Sequence, residues 1–334
     1  MSKKIRWGIL GAGRIANKFA ADLALVNDAE LTTIASRDQS RGNEFAKKFN
    51  IPVYLDSYEK LVRSPDVDVI YIATPHGFHY QHAMLCLNHG KAVLCEKAFA
   101  LNSHQLKEMV TLAKSKKVFL MEAFWTKFIP QFIKIKEMIG RGDIGEIKLI
   151  QADFGFKASS PPAQRLTDLQ LGGGSLLDIG IYPVFLATTL LGSPVEIKAL
   201  MTPYTTGADE QCVVVMKFES GALTLLSSTL ASDTPTEALI AGTEGRIQMR
   251  NRFHNPVGRM EIVRTVDNIE KVEEVDVERE NGFGYQFEAR HVGDCLRKGL
   301  CESPVMSLSD SLLLMETLDR IRKECGIHYT VDHD

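Results

Sequence analysis

Ile5-Arg6-Trp7-Gly8-Ile9-Leu10-Gly11-Ala12-Gly13-Arg14-Ile15-Ala16 decides how the rest of this 334-residue chain is read. The first six residues form a short apolar strand, and after the glycines a helical pattern runs on through Phe19, Leu23 and Val26. Between them stands G-x-G-x-x-A, in the strand–turn–helix setting that a dinucleotide site requires. Gly11 permits the tight turn, Gly13 lets a pyrophosphate approach the backbone, and the small Ala16 lets the helix lie close to the sheet. The N-terminus of that helix, at Arg14 and Ile15, offers free N–H groups to phosphates.

Strands and helices then alternate through residues 5–122, the pattern of a doubly wound parallel sheet. The second strand, residues 31–35, ends in Ser36-Arg37-Asp38. Ser36 is suited to donate to a 2′-phosphate, and Arg37 to pair with it and stack on adenine, which favours NADP over NAD. A one-residue shift of register would instead put Asp38 on the ribose. A near-continuous apolar strand, residues 67–73, ends in Thr74-Pro75-His76-Gly77-Phe78-His79. The backbone of Thr74 and Pro75 is expected to border the cofactor. His76 and His79 read either as capping and packing residues or as direct participants.

Lys91-Ala92-Val93-Leu94-Cys95-Glu96-Lys97-Ala98 is a buried strand that stops at a charged pair, at the strand end where open α/β sheets bind ligands. A further strand, residues 118–122, runs into Trp125, one of two tryptophans, which reads as interdomain packing or as a wall of a substrate pocket. These features delimit a nucleotide-binding domain over residues 1–124.

Residues 125–334 differ in kind. Segments 147–156, 195–201, 212–218, 222–228, 237–241 and 246–249 read as strands, several with period-two alternation. They predict an open, largely antiparallel sheet with helices on one face, for substrate binding and dimerisation. An uncovered sheet face suggests a homodimer through this sheet. Segments 284–298 and 307–325 are amphipathic helices that suit packing back on the first domain. Between the first of these strands and the rest of the sheet lies Gly172-Gly173-Gly174-Ser175-Leu176-Leu177-Asp178-Ile179-Gly180-Ile181-Tyr182-Pro183. A helix from Ser175 would put Asp178 and Tyr182 on one face, although Pro183 would kink it.

Composition narrows the class. Hydrophobic content of 45%, charged content of 24% and a net charge of −3 describe a globular chain of two domains. No block of like charge argues for a nucleic-acid or membrane partner. No apolar run is expected to span a bilayer, and the charged start Met1-Ser2-Lys3-Lys4 leads into a strand rather than a signal peptide. Six cysteines without Cys-x-x-Cys spacing read as reduced thiols of a cytoplasmic protein, with no metal site.

Together, Gly11–Ala16, Thr74-Pro75-x-x-x-His79, Gly90–Lys97 and Gly173–Gly180 resemble the glucose–fructose oxidoreductase, inositol dehydrogenase and rhizopine catabolism (Gfo/Idh/MocA) family over essentially the whole chain. Met121–Thr126, Asp178–Tyr182, Tyr285–Val292 and Glu302–Val305 are similar to its branch of dimeric trans-dihydrodiol and NADP-dependent D-xylose dehydrogenases. Two positions depart from the wider family: Ala98 replaces the proline of Glu-Lys-Pro, and Tyr182 stands where a histidine is frequent.

The resemblance implies an NADP-dependent oxidoreductase acting on a secondary or anomeric hydroxyl of a sugar, polyol or trans-dihydrodiol. Tyr182 is the candidate acid–base group, with its phenol pKa, ordinarily about 10, lowered by the Lys97 ammonium. Lys97 also suits the cofactor ribose or a developing alkoxide. Asp178 would orient substrate or Lys97, and Glu96 would shape the loop. Phe154 and Phe156, one pleat apart, would join Trp125 in an aromatic wall, with Arg165 as a further pocket residue. Two alternatives are a family member that recycles bound NAD during glycoside cleavage, and a nucleotide-binding regulator without turnover.

Overall fold

The computed structural model describes residues 4–333, so Met1-Ser2-Lys3 of the charged start lie outside the described residues. Two compact units are present: one runs to Phe128 and adds Glu280–Leu312, and the other comprises Ile129–Arg279 and the chain from Leu313 onward. The helices are α1 (Arg14–Leu23), α2 (Gln39–Lys48), α3 (Tyr58–Arg63), α4 (His79–Asn88), α5 (Ser103–Lys116), α6 (Pro130–Gly140), α7 (Gln164–Thr167), α8 (Ile181–Leu191), α9 (Tyr285–Arg297) and α10 (Leu308–Cys325).

In the first unit, β1 (Ile5–Leu10), β2 (Ala29–Ala35), β3 (Val53–Leu55), β4 (Val69–Ile72), β5 (Ala92–Glu96) and β6 (Leu120–Ala123) form a parallel sheet in the order β3-β2-β1-β4-β5-β6. Every residue of β4 and β5 is buried, which is why both read as unbroken apolar runs. The strand order reverses between β1 and β4, and the crevice at their carboxyl ends is where such sheets bind ligands. Helix starts carry side-chain caps: Asp38 accepts from the amide of Arg41, Ser57 from Lys60 and Asn102 from Gln105. The start of α9 is capped from far along the chain, where the Asp22 carboxylate takes the amides of Phe283, Gly284 and Tyr285 at 2.8–2.9 Å.

The second unit holds β7 (Ile147–Gly155), β8 (Pro194–Pro203), β9 (Asp209–Phe218), β10 (Leu223–Thr229), β11 (Ala238–Gly242), β12 (Arg246–Arg250), β13 (Arg259–Val266) and β14 (Ile269–Glu274). Their order is β14-β13-β12-β11-β7-β10-β9-β8, antiparallel throughout except for β7 beside β10. The hairpin β13–β14 was not among the expected strands. Its edge strand Ile269-Glu270-Lys271-Val272-Glu273-Glu274 is exposed at every position and turns at Asp267 and Asn268, both with positive φ, so no buried face marks it in the sequence.

A second difference concerns Leu169–Leu191, which contains an 18-residue stretch apolar enough to cross a membrane, contrary to the expectation that no run would. Its apolar window is 78% buried inside the fold, as in a core helix. All six cysteines are free, four of them buried.

Candidate functional site

At the end of β1 the chain turns through Gly11, whose φ of +101° disfavours any side chain. A Cβ there would also press on the Ala73 carbonyl and the Thr74 methyl at 3.2 Å, so the turn lies directly against the end of β4. Gly13 differs. A Cβ on it would meet only the Ala73 carbonyl, at an ordinary 3.7 Å, so the protein itself does not demand glycine. The space is free for a ligand approaching the start of α1, whose first turn has no side-chain cap and no acidic residue. The exposed Arg14 and the half-buried Ile15 open that turn, and Ala16 is fully buried.

Past β2, the Arg37 guanidinium lies over the rings of both Tyr58 and Phe78, 5.7 Å from each centroid. Neither aromatic partner was singled out from the sequence. Asp38 is occupied: it caps α2 and pairs with Arg41 at 3.2 Å. Ser36 is buried, and its hydroxyl donates to the Asp38 carbonyl at 3.0 Å. A cleft of about 380 Å³ opens beside Arg37, lined also by Tyr54 and Lys60. Asp56 lines the cleft as well, paired with Lys60 at 2.7 Å, and with Asp38 also engaged the Arg37 guanidinium suits a phosphorylated ribose better than a bare one.

The ends of β4 and β5 are tied together by His79. Its fully buried ring places Nε2 2.7 Å from the Thr74 carbonyl and Nδ1 2.7 Å from the Ala98 carbonyl. Burial lowers its pKa to about 4, against the pull of the two carbonyls, each of which favours a proton on the ring nitrogen facing it. Thr74 also meets His82 at 3.0 Å, while His76 packs edge-on to His79. Pro75 precedes this turn in extended conformation. The packing reading of His79 thus has a specific content: it joins two loops that border the crevice. Glu96 is buried and accepts a hydrogen bond from the Tyr71 hydroxyl, and burial raises its pKa to about 7. Lys97 is half-buried, and the Lys97–Ala98 peptide is cis. Trp125 stacks on Tyr285 at 4.7 Å, within the first unit.

In the second unit, the expected helix from Ser175 opens as a π-helical turn, Leu176–Gly180, before α8. Pro183 has no N–H to bond back along a regular ladder, and the wider turn accommodates that loss. Arg165 and Asp178 come together, the guanidinium 3.1 Å from each carboxylate oxygen. Phe154 and Phe156 both pack against Leu166, Ile179 and Leu230. The Tyr182 ring lies 5.7 Å from that of Phe154 and 4.7 Å from that of His254, which itself stacks on Phe154 at 4.4 Å. His254 was missed: a single histidine in a loop carries no pattern, and only the fold brings it beside Tyr182. Among the described residues no cluster of histidine, cysteine and acid is arranged to hold a metal.

Residues 5–124 match the oxidoreductase family with an NAD-binding Rossmann fold, and residues 132–248 match the GFO/IDH/MocA C-terminal domain. The chain is 39% identical to mouse trans-1,2-dihydrobenzene-1,2-diol dehydrogenase, over 98% of this chain and 99% of that protein. The chain belongs to the Gfo/Idh/MocA oxidoreductase family. The human trans-1,2-dihydrobenzene-1,2-diol dehydrogenase is 36% identical over the same shares, 98% and 99%. Among solved structures of similar fold is a 3-ketoreductase from Actinomadura kijaniata in complex with NADP and TDP-benzene, with a TM-score of 0.85 and 25% identity over 97% of this chain and 98% of that one. An aldose-aldose oxidoreductase from Caulobacter crescentus superposes with a TM-score of 0.87 at 21% identity, over 97% and 98% of the two chains, and shows the fold alone.

Proposed function

We propose that this oxidoreductase is an NADP-dependent dehydrogenase acting on a secondary hydroxyl of a cyclic substrate, a trans-dihydrodiol or a sugar. The observation that carries the reading is the near-full-length likeness to trans-1,2-dihydrobenzene-1,2-diol dehydrogenases, 39% identity over 98% of the chain. The local chemistry supports it. Gly11 and Gly13 with the start of α1 would take the pyrophosphate and Arg37 the phosphorylated ribose, while Ser36, whose hydroxyl is engaged by the Asp38 backbone, would hold the turn that presents Arg37. Thr74, Pro75, His76 and the loop braced by His79 would border the nicotinamide side. The bound cofactor supplies the acceptor or donor of a hydride.

The chain's own residues handle the proton and the substrate. The Tyr182 phenol is the acid–base group for the substrate hydroxyl. The Lys97 ammonium is suited to hold the cofactor ribose or to meet a developing alkoxide, while Glu96 supports its loop through Tyr71. Asp178, held by Arg165, orients substrate hydroxyls. Phe154 and His254 pack their rings against Tyr182, and Phe156 extends the apolar surface over Leu166, Ile179 and Leu230, which suits a substrate with an apolar ring face.

We also assign a homodimer to the second sheet. Leu200, Val213, Val215 and Leu225 are exposed on β8, β9 and β10, and register places Leu200 opposite Val213 and Val215 opposite Leu225. A continuous apolar row of this kind is covered by a second copy.

The test is nicotinamide absorbance with NADP and with NAD, against pentoses, hexoses, inositols and trans-dihydrodiols. Turnover with NADP on one class supports the reading. Turnover with NAD alone contradicts the Ser36–Arg37 assignment. Specific nucleotide binding without turnover across the panel favours a regulator.

A further inference from the structure

Asp209, the first residue of β9, is fully buried and lies outside every motif the sequence analysis singled out. One carboxylate oxygen accepts the Ser175 hydroxyl at 2.7 Å and the Leu176 amide at 2.6 Å. Ser175 in turn meets the Ser228 hydroxyl at 2.9 Å. The other oxygen has no hydrogen-bond partner among the described residues. It faces Gly174, where a Cβ would come within 2.1 Å of it and where φ is +126°. The loop's last glycine therefore makes room for this carboxylate. The preceding turn is held as well by the Tyr329 hydroxyl, which donates to the Gly173 carbonyl at 2.9 Å.

The two bonds from Asp209 go to the first residues of the segment that carries Asp178 and Tyr182. A carboxylate at a helix start binds free N–H groups and offsets the positive end of the dipole. This segment opens with a π turn in which the Asp178 amide bonds back to the Gly174 carbonyl at 3.3 Å, so the position of Asp178 follows that of the residues Asp209 holds. We propose that Asp209 is a positioning residue of the reaction, whose carboxylate anchors the start of this segment and thereby sets where Asp178 and Tyr182 stand. The inference rests on the reading of Tyr182 as the acid–base group and adds the residue that places it.

Burial raises the Asp209 pKa to about 6, against the opposing pull of the Ser175 hydroxyl and the Leu176 amide. The titratable groups that feel its charge are Tyr204, Tyr329, Cys212 and Cys325. The phenols, with pKa raised by burial, stay neutral around pH 6, and so does the Cys212 thiol, whose pKa is raised. Cys325 is the one held below the usual thiol range, by Cys212. Because the folded pKa lies above that of a free carboxyl, Asp209 favours the fold fully below about pH 4 and loses that contribution as pH rises through about 6.

The experiment compares Asp209→Asn and Ser175→Ala with the wild-type chain in kcat and KM from pH 5 to 9, in NADP affinity, in melting temperature and in amide exchange over residues 174–182. Asp209→Asn is expected to lower kcat at pH 8 about 10-fold or more, as small misplacements of reacting groups do. It should also flatten the acid limb near pH 6, leave NADP affinity unchanged, speed exchange at 174–182 and not lower the melting temperature at pH 8. Ser175→Ala should give a smaller loss of the same kind. Unchanged kcat and pH profile with unchanged exchange overturns the proposal. So does a parallel fall of kcat, NADP affinity and melting temperature, which means general damage. If Tyr182→Phe keeps full turnover, the acid–base reading fails separately, and amide exchange still judges the anchor.

Discussion

Arg37 lies over two aromatic faces, contributed by Tyr58 at the start of α3 and Phe78 before α4. Its orientation is therefore held before any ligand arrives, and Asp38 beside it is committed to Arg41 and to the cap of α2. Charge-assisted bonds to a phosphate contribute roughly 1.5–3 kcal/mol each. Arg37→Ala should accordingly weaken NADP binding about 10–100-fold by fluorescence titration and NAD binding, which loses only the adenine stack, much less. Equal losses for both nucleotides would remove the 2′-phosphate assignment. Arg37 could be named from the sequence because it follows the end of a strand, where a nucleotide-binding unit reads the ribose, whereas the engagement of the Ser36 hydroxyl by Asp38 could not. Tyr58, Phe78 and His254 were not, because each reaches its partner through the fold and no local spacing announces it. Arg165 and Asp178 could each be named beforehand, but their pairing at 3.1 Å appears only in three dimensions.

The turns and helix starts carry the next set of predictions. Gly13 and Gly174 look alike in sequence and differ in environment. Gly13→Ala meets no protein atom closer than 3.7 Å, so it should leave the melting temperature unchanged while weakening NADP binding. Gly174→Ala combines a φ of +126° with a 2.1 Å approach to Asp209 and should cost about 2–4 kcal/mol in denaturant unfolding. The parallel sheet was readable because buried strands are continuous apolar runs that alternate with capped helices. The hairpin β13–β14 escaped because its edge strand buries nothing, and the π turn escaped because proline forecasts a break without saying how the chain absorbs it.

Buried carboxyls shape the stability of the chain as a unit. Burial raises Glu96 and Glu122 to about 7 and Glu288 well above the carboxylate range. Both Glu288 oxygens lack hydrogen-bond partners among the described residues. An acid with a raised folded pKa favours the fold fully below about pH 4 and loses that contribution as pH rises through the folded value. His79 and His82, lowered by burial to about 4, act in the opposite sense between about pH 4 and 6.5. The acids therefore dominate above that window, and the melting temperature should fall between pH 6.5 and 8.5. Glu288→Gln, which keeps the shape and removes the titration, should raise it at pH 8 and change it much less at pH 5. At the level of assembly, Val215→Lys combined with Leu225→Lys should halve the mass seen in sedimentation, and a monomeric wild-type chain would remove the dimer. The most direct test of the catalytic assignment is the initial rate of NADP reduction by the wild-type, Tyr182→Phe and Lys97→Met chains on the best substrate of the panel. The predicted result is a loss of about 100-fold or more in kcat for each variant with the fold intact. Full turnover by both folded variants would contradict the assignment.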